Sequence, residues 1–319
     1  MKIVSSLLPP REIQRSIREK FSEHEFHFFK QMEQVDEDLI ADMEILITYA
    51  EDLHPEIIDR ASSLKWISAM AAGIDRMPIE TIEKRGILVT NARGIHAIPM
   101  SEFALGLMLS HVKRLADLRE LQSNKTWNKW LPIGELCGKT LLVLGTGAIP
   151  EEIARLAGAF QMNVVGVNRS GRYLGEHFKK VHPIEQLNQL LPDADMVVSV
   201  LPSTPETKEL LTYEHFERMK NNALFINLGR GDLMTLETLK RVLEDELVGH
   251  MALDVFPEEP LGADNLLWNY PNLTITPHLS SITENYLPRA FSIFEHNLAV
   301  YSGKADGDYL NKIDLTKGY

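Results

Sequence analysis

The stretch LLVLGTGAIPEEIARLAGAFQMNVVGVNRSG, Leu141 to Gly171, is an apolar run that breaks on glycines, restarts with helical spacing and ends in a second apolar run. LLVL and NVVGVN have the length and content of buried strands, and EEIARLAGAF between them repeats its apolar residues as a helix does. The order strand, turn, helix, strand predicts a βαβ unit in a parallel sheet. At the turn stands Gly145-Thr-Gly147-Ala-Ile-Pro150. In that context the first glycine permits the tight bend, and the second lets a pyrophosphate approach backbone N–H groups at the positive end of the helix. The glycines alone would be a weak signal; the flanking strand and helix give them meaning. Pro150 takes the place where a third glycine normally allows close helix–strand packing. Proline suits a first helical turn, where its missing N–H would be unpaired anyway. The expectation is a slightly displaced helix and an intact phosphate site.

The second strand of a site for NAD usually ends in an acid that binds the ribose hydroxyls and repels a 2′-phosphate. Here it ends in Asn168, followed by Arg169, Ser170 and Arg172. Loss of the acid removes the repulsion, and two guanidinium groups with a hydroxyl can hold a phosphate through charge-assisted hydrogen bonds. The reading is NADP(H) preferred, with NAD(H) possible. The alternative is a solvated turn that happens to be basic.

On either side of this unit the alternation continues. IVSSLL, ILITYA, KWISAM and ILVTNA are strands, with helical patterns at REIQRSIREKF, HPEIIDRASSL and PIETIEKRG between them. After Leu141 come MVVSVL, LFINLG, GHMALDVF and LTITP. The segment from Met100 to about Gln122 reads as one long helix leaving the first half and packing into the second. The tail KADGDYLNKIDLTKGY carries little structural signal. Both chain ends can then belong to one domain, with residues 1–99 and 281–319 forming a substrate domain and 100–280 a dinucleotide-binding domain inserted in it. The predicted class is α/β: a Rossmann-type domain inserted in a flavodoxin-like domain, with a cleft between them where ligands bind.

The 319 residues, 44% hydrophobic and 24% charged, suffice for large cores. A formal net charge of -12 argues against a nucleic-acid partner, which would need clustered Lys and Arg. The single cysteine, Cys137, excludes an internal disulfide and any cysteine metal cage, in keeping with a reducing cytoplasm. The opening MKIVSSLLPPRE is cut by serines and prolines too soon for a secretory signal, and no run is long enough to span a membrane. No histidine pair at helical ligand spacing with a third acid appears, so a metal centre is not expected.

Three later fragments follow predicted strands: FINLGRGD with Arg230, ALDVFPEEPL with Asp254 and Glu259, and TITPHLSS with His278. Singly, each has a bland explanation: an arginine that pairs or caps, an acidic surface turn, a satisfied histidine. Together, at strand ends of a nucleotide-binding half, they read as a catalytic set.

The chain resembles the D-isomer-specific 2-hydroxyacid dehydrogenases over nearly its full length. The resemblance rests on AAGID (Ala71 to Asp75), the SEFALGLML helix with Ser101 and Glu102, the GTGAIP loop, LPSTPET (Leu201 to Thr207), NLGRG (Asn227 to Gly231), LDVFPEEPL (Leu253 to Leu261) and PHLSS (Pro277 to Ser281). It implies two α/β domains, a homodimer, and Arg230, Glu259 and His278 as the working residues. Cofactor contacts are implied at Gly145, Gly147, Ala148 and Ile149 in the first turn and at Leu201, Pro202 and Thr207 in the second. Leu228, Gly229, Asp254 and Ser280 complete them, with Asp254 beside the nicotinamide. Substrate contacts are implied at Arg230, His278 and the backbone N–H groups of Ala72 and Gly73. Departures from the family pattern are Pro150, Asn168 and Ser280.

These residue types suit reduction of a 2-keto acid, which needs a hydride at C2 and a proton on the oxygen. His278 can give the proton if Glu259 hydrogen-bonds its other nitrogen. Arg230 can orient the substrate and stabilise developing charge. Arg93 and His96, in NARGIHAIP, are candidates for selecting the substrate side chain. The expected activity is NAD(P)H-dependent reduction of a small acid such as glyoxylate or hydroxypyruvate to the D-2-hydroxy acid. The rivals are an NAD-linked D-lactate-type, D-2-hydroxyisocaproate-type or phosphoglycerate dehydrogenase, and a non-catalytic nucleotide-sensing protein.

Overall fold

Runs such as ILIT, WISA, TLLVL, MVVS and LFIN have buried side chains at nearly every position rather than at alternate ones. Strands of that kind need both faces covered, and parallel sheets flanked by helices provide it. A computed structural model describes residues 1–74 and 76–315. They form two units, residues 1–95 with 283 onward and residues 96–282. Asp75, the last residue of the AAGID motif, and 316–319 of the tail lie outside the described residues.

In the first unit the chain runs β1 (Lys2–Ser5), α1 (Arg11–Lys20), β2 (Glu25–Phe28), α2 (Glu37–Asp42), β3 (Ile45–Thr48), α3 (Pro55–Arg60), β4 (Trp66–Ala69), α4 (Ile79–Lys84) and β5 (Leu88–Thr90). The strands are all parallel in the order β2-β1-β3-β4-β5, a flavodoxin-like sequence of strands. Separate apolar clusters cover its two faces, one around Leu46 and Ile67, the other around Trp66, Phe291 and Phe294.

The second unit contains α5 (Ala97–Val112), α6 (Leu115–Ser123), β6 (Thr140–Leu144), α7 (Ala148–Ala159), β7 (Asn163–Asn168), β8 (Lys180–Pro183), α8 (Leu187–Leu190), β9 (Met196–Ser199), α9 (Tyr213–Glu217), β10 (Leu224–Asn227), α10 (Leu236–Glu244), β11 (His250–Leu253) and β12 (Leu273–Ile275). Its seven parallel strands lie in the order β12-β11-β10-β9-β6-β7-β8. The order reverses between β6 and β9, the Rossmann switch point where nucleotides bind. The chain then re-enters the first unit as α11 (Tyr286–Tyr301).

Two expectations are corrected. The long helix from Met100 is two helices, α5 and α6, because Arg114 adopts a left-handed φ of 51° that no helix can continue through. The tail is tied down as far as it is described: Thr90 bridges to Lys312, Ile313 N–H bonds to Val89 O, and Ile313 is buried.

Candidate active site

All the loops that carry the motifs of the second unit leave the same edge of its sheet. The glycine turn follows β6, LPST follows β9, the Arg230 turn follows β10, Asp254 and Glu259 follow β11, and His278 follows β12. Because every strand is parallel, each motif placed after a strand falls on the carboxyl edge, and the strand order makes the last three neighbours.

At the switch point Gly145 has φ 107°, a conformation that a side chain resists. A Cβ there would lie 3.4 Å from Pro150 and 3.5 Å from Val200 O, so the turn packs closely onto the loop after β9. Pro150 is buried in the first turn of α7. Glu151 N–H bonds back to Gly147 O at 2.9 Å, while no side chain caps the helix. Gly147 and Ala148 are exposed and Ile149 is partly so. The N–H groups of the turn thus remain directed to a ligand. These features fit a dinucleotide phosphate, and Pro150 removes only a donor that the helix start does not use.

The basic turn after β7 differs from expectation in one residue. Asn168 Nδ2 donates to Thr146 Oγ1 at 2.9 Å and to Arg172 O at 2.7 Å, and its Oδ1 accepts from Ser170 N–H and Gly171 N–H. An amide has two donors and two lone pairs, and all four are used. Asn168 is therefore the brace of the turn, joining it to the glycine loop, and not a direct contact for a ligand. The brace leaves Arg169, Ser170 and Arg172 exposed. Among the described residues neither guanidinium makes an ion pair, although Arg169 lies within the field of Glu206. Thr207 is likewise a loop brace, donating to Pro202 O at 2.6 Å and accepting from Thr204 N–H.

Arg230 is positioned by its neighbours. Buried Asn227 donates to Arg230 O and accepts from Gly229 N–H, closing the turn. A Cβ on Gly229 would come 2.5 Å from Leu201 O, and one on Gly231 would collide with the Phe256 carbonyl. The two glycines around the arginine allow this turn to lie against the loops on both sides. Arg230 itself is exposed, its Nη1 donating to Gly229 O at 2.9 Å. His96, just before α5, lies within its field; burial, then Arg230, lowers the His96 pKa. Arg93 is exposed and belongs to the other unit.

Glu259 and His278 are brought together. Glu259 Oε1 accepts from Phe256 N–H at 2.8 Å, and its Oε2 lies 2.8 Å from His278 Nδ1. The pair is accessible, with side chains 35% and 49% exposed. His278 has a left-handed φ of 51°, and its N–H bonds to Asp254 O and Thr276 O. Beneath it Asp254, 1% exposed, accepts from Thr276 Oγ1, Leu279 N–H and Ser280 N–H. Asp254 thus fixes the histidine loop through these three bonds. Ser280 is buried with it through its N–H bond to Asp254, and Leu228 is buried in the apolar core of the sheet. The braces Thr146, Asn227 and Thr276 were not picked out from the sequence; the signal was a polar residue closing an apolar strand or opening a turn.

In the first unit, Asn91 Nδ2 holds Ala72 O at 2.5 Å and Ala92 N–H holds Ala71 O. The loop's carbonyls are thereby tied back, and among the described residues the N–H groups of Ala72 and Gly73 make no hydrogen bond, which suits a carboxylate.

A family model described as the NAD binding domain of D-isomer specific 2-hydroxyacid dehydrogenase matches residues 105–280. Glyoxylate reductase of Thermofilum pendens is 31% identical over 274 residues, 84% of this chain and 81% of that one. D-3-phosphoglycerate dehydrogenase of Methanocaldococcus jannaschii is 32% identical over 233 residues, 72% of this chain and 44% of that longer protein. A crystal structure of a D-isomer specific 2-hydroxyacid dehydrogenase family protein from Aeromonas salmonicida matches with a TM-score of 0.84 and 34% identity, covering 98% of each chain. The Rossmann sheet with this glycine turn fits a nucleotide, and the histidine–carboxylate pair lies on the same carboxyl edge. The chain belongs to the D-isomer-specific 2-hydroxyacid dehydrogenase family, and it is an NAD(P)-dependent enzyme of that class.

Proposed function

We propose that the enzyme reduces a small 2-keto acid of the glyoxylate or hydroxypyruvate kind to the D-2-hydroxy acid, with NADPH preferred over NADH. The observation that carries this reading is the 2.8 Å contact of Glu259 with His278 Nδ1, on the same sheet edge as Arg230. The residues to hold the nucleotide are the turn from Gly145 to Ile149, the loop Leu201–Pro202, Gly229, and the exposed Arg169, Ser170 and Arg172 for a 2′-phosphate. When bound, the reduced cofactor supplies the hydride to C2.

His278 engages Glu259 through Nδ1, so its Nε2 is the atom that gives a proton to the keto oxygen and takes it back in the oxidation direction. Glu259 fixes the ring's orientation and stabilises the imidazolium. Arg230 draws the substrate's oxygens and offsets the charge that develops as the carbonyl is reduced. Ala72 and Gly73 N–H groups receive the carboxylate. In this reading residues 100–280 are the nucleotide-binding domain, and 1–99 with 281–319 the substrate domain.

A homodimer is part of the same proposal. The segment after α6 carries Trp127 and Trp130, 95% and 81% exposed, and Ile133; Leu115 and Leu118 of α6 are also exposed. An apolar surface of this kind marks a contact with another protein surface. Among the described residues no helix is long and apolar enough to cross a membrane; a cytoplasmic placement rests on the single cysteine, Cys137. Steady-state rates for a panel of 2-keto acids, each with NADPH and NADH, test the proposal. The expected result is turnover of glyoxylate or hydroxypyruvate with NADPH favoured; tight NADPH binding with no 2-keto acid reduced would support a sensing protein instead.

A further inference from the structure

Arg289 belongs to neither the nucleotide site nor the histidine–carboxylate pair. It stands in the first turn of α11, where the helix macrodipole presents its positive end and a cation is disfavoured. Its Nη1 is buried and has no hydrogen-bond partner among the described residues. A guanidinium nitrogen out of water and unpaired is destabilising unless something anionic meets it.

The surroundings are built rather than accidental. A long helical side chain leans toward the helix N-terminus, over the residue three or four positions earlier. For Arg289 that is Tyr286, whose hydroxyl donates to Met70 O at 2.6 Å. Met70 directly precedes Ala71, Ala72 and Gly73, the loop to which the substrate carboxylate is assigned. Burial, then Tyr49, pushes the Tyr286 hydroxyl up to about 12, so it remains a donor. Tyr49 follows β3 and packs its ring against Tyr286, with centroids 6.5 Å apart, yet stays 41% exposed. The next residue, Ala50, has φ 76°, and its N–H is held by Thr48 Oγ1 at 2.9 Å. Such a strained, locked turn fixes where Tyr49 projects. Tyr49 and Met70 both follow strands at the carboxyl edge of the five-stranded sheet, the edge at which ligands of open α/β sheets bind.

We propose that Arg289, one helical turn after Tyr286 and its ring partner Tyr49, forms a subsite for a second anionic group at the far end of the substrate. The preferred substrate is then a 2-keto acid bearing a distal carboxylate or phosphate, and glyoxylate is its minimal core. The guanidinium receives the anion in charge-assisted hydrogen bonds, and the tyrosine rings wall the linking carbons. This inference rests on the 2-keto acid reductase reading above.

The experiment compares kcat and KM for glyoxylate, 2-oxoglutarate and 3-phosphohydroxypyruvate in the wild type, Arg289→Gln and Arg289→Lys. One of the two substrates with a second anionic group is expected to have the highest kcat/KM in the wild type, and which of them it is separates carboxylate from phosphate. Arg289→Gln should lower the ratio of that kcat/KM to the glyoxylate value by about tenfold or more, mainly through KM, as loss of a hydrogen bond to a charged group implies. Arg289→Lys should restore part of it. Equal losses on glyoxylate and on the two longer substrates, or a wild type that favours glyoxylate with no selective effect of Arg289→Gln, would overturn the subsite and leave the reductase intact. A wild type that reduces none of the three would overturn the reductase reading and the subsite with it.

Discussion

The two edges of the seven-stranded sheet hold histidines in opposite circumstances. At the carboxyl edge His278 is half-exposed and bonded to the Glu259 carboxylate. At the amino edge His111 and His250 pack ring against ring with centroids 5.8 Å apart, and His250 Nε2 meets the Thr274 hydroxyl at 2.8 Å. Burial, then His111, brings His250 down to about 4; burial, then the Lys139 and Arg114 charges, lowers His111. The same side chain stands beside a carboxylate at one edge, while at the other partial burial opposes its charge. The difference comes from the loops: at the carboxyl edge of a parallel sheet they are free to bring distant residues together, whereas His111 and His250 are fixed within α5 and β11.

The comparison breaks first at His278. His278→Ala should lower turnover by about 10²–10⁴-fold, the usual worth of a general acid, while a fluorescence titration finds NADPH affinity largely unchanged; retained turnover would remove His278 from the chemistry. Arg230→Gln should cost kcat/KM about 10²–10³-fold, the range for losing one preorganised donor, measured by steady-state kinetics. Arg169→Ala should raise KM for NADPH by about tenfold, the worth of a charged hydrogen bond, and leave KM for NADH little changed; equal effects would count against a phosphate contact.

The smallest effect belongs to the amino edge. Folded His250 stays neutral down to about pH 4, whereas the unfolded side chain takes up its proton near 6.5. Across that window the unfolded chain binds a proton that the folded one refuses, so stability is full above it and falls as pH drops. His250→Gln should remove this share of the acid sensitivity, seen as a change of up to about 10 °C in the pH-dependent part of Tm, and should leave turnover alone.

Much of this architecture was legible because it is written in continuous apolar runs. Leu141 to Leu144 and Leu224 to Asn227 announce buried strands, and the glycine turn between β6 and α7 announces its ligand. Two edge strands were missed. EFHF of β2 and KVHP of β8 are short, partly exposed and polar, since an edge needs no second apolar neighbour. The Arg114 break was hidden because nothing in the local spacing forces a left-handed residue there. Asn168 stands at the expected turn but in a different role. Spacing locates it, and only geometry shows its amide satisfied by Thr146, Ser170, Gly171 and Arg172. The orphaned nitrogen of Arg289 could not be read from sequence, since burial without a partner is a property of packing.

The most direct test of the central claim is a double-mutant cycle on kcat/KM for glyoxylate reduction with NADPH, combining His278→Ala with Glu259→Gln. If Glu259 works through the bond to His278 Nδ1, the second substitution should add almost nothing to the loss caused by the first. Losses that simply multiply would mean that the carboxylate and the imidazole act independently, and the proposed proton-transfer pair would not exist.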